Sequence, residues 1–228
     1  MFGWLFGYEA KRKQLLKKVP EGALRDYLSV PLPDINTHID KVEILAVDFE
    51  TTGLNAKQDK LLSVGFTTLK KQQISLKTSY HQIIKTKEQL EESNVIIHHI
   101  TDSQKEQGKA LAVVVETLLK ALAGKVMLVH FARIERQFLT EACYELYGMA
   151  PIFPMIDTLA LAKRRLDKRD VAYDPSELRL TNLRNNFQLP EHHAHNALND
   201  AIATAELFMA QMSKVNKDGK ATLKDVLL

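Results

Sequence analysis

The sequence predicts an α/β fold in which one mixed sheet is flanked by helices. Three observations point to it: a period-two alternation of apolar residues that begins at Val42, two further strand-like runs before residue 81 with only a turn-prone segment ahead of them, and helical stripes interrupted by short apolar runs after residue 110. Strands first, then helices alternating with strands, describe a sheet that opens as an antiparallel meander.

Each element follows from its residues. Residues 1–40 mix short apolar pieces with charge and end in SVPLPDINTH (29–38), an extended connector, so they read as an N-terminal arm whose helix packs on the main domain. The apolar start MFGWLFGY precedes the cationic KRKQLLKK, the reverse of a secretory signal's order, and no export is expected. From Val42, Ile44, Ala46, Asp48 and Glu50 share one strand face, and Leu45, Val47 and Phe49 the other. LLSVGFTTL (61–69) and QISLKTSY (73–80) supply the next two strands after the turn-prone GLNAKQDK (53–60). Leu111–Leu122 reads as a helix stopped by Gly124, and VMLV (126–129) as a short buried strand leading to His130. A helix over Phe131–Tyr147 carries its apolar stripe on Ile134, Phe138, Leu139, Ala142 and Leu146 and ends at Gly148. Met155–Arg165 reads as a brief strand that turns into a helix at Asp157, and Leu178–Phe187 and Ala197–Met212 as the last helices. The main domain is expected over 41–213, with 214–228 as a lysine-rich tail.

Composition excludes several classes. A chain of 228 residues with 45% hydrophobic content buries roughly 70–75% of its unfolded surface as one domain. A single cysteine, Cys143, rules out an internal disulfide framework and fits a reducing cytoplasm. A net charge of +3 is too small for holding polyanions by bulk charge, so any nucleic-acid contact is local. No apolar run approaches the roughly 18–20 residues that span a bilayer.

Asp48 and Glu50 are the first residues that the fold does not explain. They extend a face that is apolar at Ile44 and Ala46, about 7 Å apart along the strand, and they repel unless a cation or proton sits between them or the strand end is fully solvated. Hydroxyls and a glycine follow at once, in DFETTG (48–53). This segment resembles the first motif of the DnaQ-like, DEDDh-type 3′-to-5′ exonucleases, the family of the proofreading subunit of bacterial replicative polymerases. HFARIERQFL (130–139) resembles the second motif and HNALNDA (195–201) the third; IIHHIT (96–101) and IDTLALAKR (156–164) are similar to two further segments of that family. The resemblance covers about 42–212. Three positions depart from the pattern: Glu135 stands where the family usually has Asp, Phe131 where it has Asn, and His99 where it has Gly.

The resemblance implies a ribonuclease-H-like mixed five-stranded sheet and a two-metal hydrolase. Two Mg²⁺ or Mn²⁺ ions would be held by Asp48, Glu50 and Asp200, with Glu135 completing the set, and His195 would be the general base. Thr51, Thr52, Gly53, Leu54 and His98 would border the terminal nucleotide. The implied substrate is the 3′ end of single-stranded or frayed DNA, with a DNA polymerase as a candidate partner; RNA 3′ trimming and a nucleic-acid-binding accessory module with weakened catalysis are the alternatives. His195 lies five residues before Asp200 and is expected in a loop ahead of a helix capped near Asn196, with Leu198, Ile202, Ala205 and Met209 as core stripe. Asp200 would then lie beside Ala197, Ala201 and Thr204, small residues suited to close approach. His192 and His193 read as exposed loop histidines rather than a zinc site, since only one Cys exists, and His130 as a packed strand-end residue. The basic run KRRLDKR (163–169) is either a phosphate-backbone contact or a solvated helix face.

Overall fold

Alternation along β1 (Ile44–Thr51) creates two cores, because its two faces are buried against different helices. In the computed structural model, which describes residues 3–86, 104, 106–168, 172–216 and 218–228, β1 is the centre of a five-stranded sheet of order β3-β2-β1-β4-β5. β2 (Leu61–Lys70) pairs antiparallel with β1, and β3 (Gln73–Ile83) antiparallel with β2, which gives the expected meander. β4 (Val126–Val129) and β5 (Met155–Asp157) add in parallel on the other side.

Leu45, Val47 and Phe49 pack against α3 (Leu111–Leu122) and α4 (Arg133–Tyr147). The same cluster takes in Leu24, Tyr27 and Leu28 of α2 (Ala23–Ser29), so the N-terminal arm is part of the core. α1 (Gly3–Leu16) is tied to it by the buried Arg12, whose guanidinium bridges Glu9 at 2.6 Å and donates to the carbonyl of Leu28 at the end of α2.

The opposite face, Ile44 and Ala46, packs with Leu128 and Ile156 under α7 (Ala197–Val215). The end of the chain joins this second core. Ala221, Leu223 and Val226 are buried, α8 (Leu223–Val226) opens with a Thr222–Asp225 capping box, and the Leu228 amide donates to Met155 O at 2.9 Å. Residues 221–228 are therefore packed rather than a solvated tail: Lys220 and Lys224 face outward while the apolar residues between them face in. α5 (Thr158–Asp167) and α6 (Leu180–Asn186) close the flank through Ala162, Leu183 and Leu207.

The expected stripe of α7 is corrected. Ala205 is buried, but Leu198, Ile202 and Met209 are only half-buried, while Ala197, Ala201, Thr204, Phe208 and Met212 form the inner face. The reason lies in β2. A Cβ added to Gly65 would meet the Ala197 carbonyl carbon at 2.1 Å and the Leu198 nitrogen at 2.2 Å, so the helix rests on the strand backbone and only small residues fit there. Gly65→Ala should therefore destabilise the chain by about 2–3 kcal/mol, since neither backbone can yield cheaply. Urea unfolding measures this, and a loss below about 0.5 kcal/mol would contradict the contact.

Candidate active site

The close approach at Gly65 decides where the acids meet. Gly65 is the register partner of Asp48 on β1, and the helix that it admits carries Asp200 in its first turn. One oxygen from each of Asp48, Glu50 and Asp200 lies within 4.8 Å of the others. Asn196 caps α7 by accepting from Asn199 N at 3.1 Å, as expected, and the His195 amide donates to Asp200 Oδ2 at 2.8 Å. Glu135 enters from the first turn of α4. It is buried, and its Oε2 has no hydrogen-bond partner among the described residues.

Burial first, and then the charges of Glu135, Asp200 and Glu50, hold the Asp48 carboxyl well above the usual carboxylate range. Burial likewise raises Asp200, with His192 pulling it back and Glu50 adding to the rise. Glu135 is pushed up to about 8, mainly by burial. A carboxylate cluster of this kind is costly without a positive charge, and its oxygen donors could hold a metal ion.

The histidines separate into three environments. His130 sits at the end of β4 with Nδ1 2.8 Å from Thr158 Oγ1, and burial lowers its pKa to about 4, which matches a packed residue. His195 is exposed, in the left-handed region at φ 65°, where histidine is comparatively well tolerated. His192 differs from its expectation as an exposed loop residue: its side chain is 11% exposed and its Nε2 lies 2.9 Å from Asp200 Oδ1. Nothing in HHAH (192–195) distinguishes these rings, because the turn at His195 and the anchoring of the loop decide which one faces Asp200. The buried Arg184 provides that anchor, donating to Pro190 O at 2.8 Å and to Ala203 O at 2.7 Å while pairing with Glu206.

Asp157 is a second residue whose role the sequence analysis gave only in part. The strand turns into a helix at Asp157 as expected; its side chain caps α5, accepting from Leu159 N at 2.9 Å, and its two oxygens also accept from the amides of Phe131 and Ala132 at 3.0 Å each. That clamp holds Phe131 at φ 73°, so α4 begins at Arg133 rather than at Phe131.

Of the expected nucleotide-bordering residues, Thr51 is buried and donates to Gly53 O at 2.7 Å, and Thr52 donates to Asp59 Oδ1 at 3.2 Å. Gly53 has no room for a side chain beside the Asp59 carboxylate, 2.5 Å from a Cβ, while Leu54 is 71% exposed. Leu54 and Lys57 face Arg133 and Gln137 of α4 across a cleft of about 530 Å³. His98 and the whole IIHHIT segment lie outside the described residues. His81, which the sequence analysis did not single out, is the β3 partner of Gly65 and so lies in line with Asp48. Arg164, Arg165 and Lys168 of the basic run line a separate groove beside Lys214, roughly 20 Å along α7 from Asp200. Among the described residues no helix is long and apolar enough to cross a membrane.

Comparison with known proteins agrees with this geometry. Residues 45–208 match the exonuclease family model named for RNase T. DNA polymerase III PolC-type of Thermotoga petrophila is 27% identical over 191 residues, 84% of this chain but only 13% of its own length. This chain therefore spans about an eighth of that relative. DNA polymerase III subunit epsilon of Treponema pallidum is 28% identical over 175 residues, covering 76% of this chain and 78% of its own. Among solved structures, the nuclease domain of 3′hExo, a DEDDh family member bound to rAMP, superposes with a TM-score of 0.63 at 15% identity, covering 76% of this chain and 93% of that one. The five-stranded sheet is thus the ribonuclease-H-like fold of such nucleases.

The electrostatics carry a pH dependence. The Glu135 carboxyl titrates near its ordinary value of 4.5 when unfolded and at about 8 when folded, so the folded chain holds the extra proton between those values and loses stability as pH rises through that window. In chelator, Glu135→Gln should melt at least about 3 °C above the parent at pH 8 and close to it at pH 4.5, as calorimetry would record. Equal melting at pH 8 would mean that the Glu135 carboxylate is not strained.

Proposed function

The chain belongs to the RNase T exonuclease family, and from that premise we propose that it is a divalent-metal-dependent exonuclease that shortens nucleic acids from their 3′ ends, with single-stranded or frayed DNA as substrate. The observation that carries this is the convergence of Asp48, Glu50 and Asp200, from a strand and a helix about 150 residues apart in sequence. A structural role does not explain it, since buried carboxylates that raise one another's pKa destabilise the chain that holds them. The DNA polymerase III names of the sequence relatives favour DNA over RNA and make a polymerase the natural partner.

The residues present fit a pair of Mg²⁺ or Mn²⁺ ions. Asp48, Glu50 and Asp200 would hold them, with Glu135 as fourth acid; its orphaned Oε2 is a buried acceptor available for this. Bound there, such ions supply charge neutralisation at the phosphoryl group, a lowered pKa for the attacking water and stabilisation of the leaving oxygen. The protein's own groups do the rest. His195, exposed and tethered through its amide to Asp200, takes the proton of the attacking water. His192 holds the other oxygen of Asp200, with its Nε2 2.9 Å away. Thr51, Thr52 and Gly53 hold the loop that presents Leu54 to the terminal nucleotide. Glu135 keeps the charge of the usual aspartate with about one methylene more reach, roughly 1.5 Å.

A binding module without catalysis is the second reading. The acidic cluster disfavours it, because buried carboxylates facing a polyanion weaken binding unless cations intervene.

Incubation with 5′-labelled single-stranded DNA and RNA in Mg²⁺ or Mn²⁺ tests the proposal. A ladder should form on DNA, vanish in chelator, and slow by at least about a hundredfold in His195→Ala. Glu135→Asp should change the rate by less than about tenfold, or ~1.4 kcal/mol in barrier. Tight binding with no shortening under either metal would move the conclusion to the binding module.

A further inference from the structure

Phe131 combines two features that are unfavourable in the free protein. Its backbone is in the left-handed region at φ 73°, a conformation in which a bulky side chain crowds its own carbonyl and which asparagine or glycine tolerates better. The residue is nonetheless 39% exposed, so core packing does not compensate for the strain. The conformation is imposed by the Asp157 carboxylate, which accepts from the amides of Phe131 and Ala132 at 3.0 Å each. Position adds the third element. Phe131 lies two residues beyond the carboxyl end of β4, the strand that pairs in parallel with β1, and four residues before Glu135 in the first turn of α4. Arg133, two residues on, lines the cleft that faces Leu54.

We propose that Phe131 is a stacking platform for a nucleobase of the strand held at the carboxylates. The proposal rests on the exonuclease reading and deepens it: it names a side chain that grips the substrate through a base rather than through phosphate. Stacking suits a trimming enzyme, because every base has a π-face and an aromatic ring therefore accepts successive nucleotides without regard to sequence. Strain held at an exposed aromatic beside a reaction centre is explained by a ligand that uses the ring.

The test is fluorescence anisotropy of 5′-labelled oligothymidylate in chelator, where nothing is cut, with a single abasic residue stepped through the last four positions. The parent chain should weaken about tenfold when one particular position is abasic. Phe131→Asn should bind the intact oligonucleotide about tenfold more weakly and become indifferent to that position, while Phe131→Trp keeps the parent profile. Its melting temperature should equal or exceed the parent's, because asparagine relieves the backbone. An unchanged abasic profile in Phe131→Asn, whether or not its melting temperature falls, would overturn the proposal. The exonuclease reading fails separately: a parent chain that neither binds any of these oligonucleotides nor shortens them with Mg²⁺ or Mn²⁺ sinks both.

Discussion

The contact of Gly65 with the backbone of Ala197 and Leu198 sets the distances on which the site depends. Gly65 is paired with Asp48 across the β1–β2 ladder, and Ala197 opens the helix that holds Asp200 one turn later. The spacing between a strand acid and a helix acid is thereby fixed by backbone against backbone, with no flexible side chain between. Interiors packed this tightly transmit small displacements rather than absorb them. The helix is held down at its other end by Phe208 and Met212 against Ile44 and Leu128, so the apolar core works against the repulsion that the carboxylates create at the near end. Stability and charge juxtaposition are thus opposed along a single helix.

Two turns repeat one device around that centre. Each has a non-glycine residue in the left-handed region just before a helix, His195 before α7 and Phe131 before α4, and in each an aspartate accepts the amide of that residue. The strain is of order 1–3 kcal/mol per residue. It is supported from outside: Arg184 grips the loop ahead of His195 through Pro190, and Asp157, the cap of α5, grips the turn at Phe131. Catalytic geometry is sensitive at the ångström scale, and groups fixed by buried hydrogen bonds lose little entropy when a substrate arrives. The local rule that is broken at Phe131 and His195 is broken where chemistry is expected.

Much of this was legible in the residues because the signals are local. The alternation from Ile44 to Glu50 gave the two faces of β1, the three-strand meander followed from runs and turns, and IDTLA carried the passage from β5 into α5 at Asp157. What was not legible depends on partners distant in sequence. The small residues Ala197, Ala201 and Thr204 make the close approach expected of them, whereas Leu198, Ile202 and Met209, expected as core stripe, are only half-buried; what their spacing could not supply is the partner, Gly65. His192 and His193 are adjacent and chemically identical, so the choice between them rests on a loop held by Arg184. The start of α4 shifts from Phe131 to Arg133 for the same kind of reason, a carboxylate arriving from β5.

The electrostatic environment within the cluster is uneven. Asp200 has an imidazole at one oxygen and an amide at the other, both of which favour its charged form. Asp48 is surrounded by Glu135, Asp200 and Glu50, all of which oppose its charge in addition to burial. Burial and mutual repulsion thus push Asp48 and Glu135 toward their neutral forms, while at Asp200 the His192 ring and the His195 amide offset part of the same effect. A divalent ion held there would compete with protons for these carboxylates, so its affinity would rise with pH. The two effects would have one origin: carboxylates held together by packing, against their own repulsion, would need no further assembly to receive a cation.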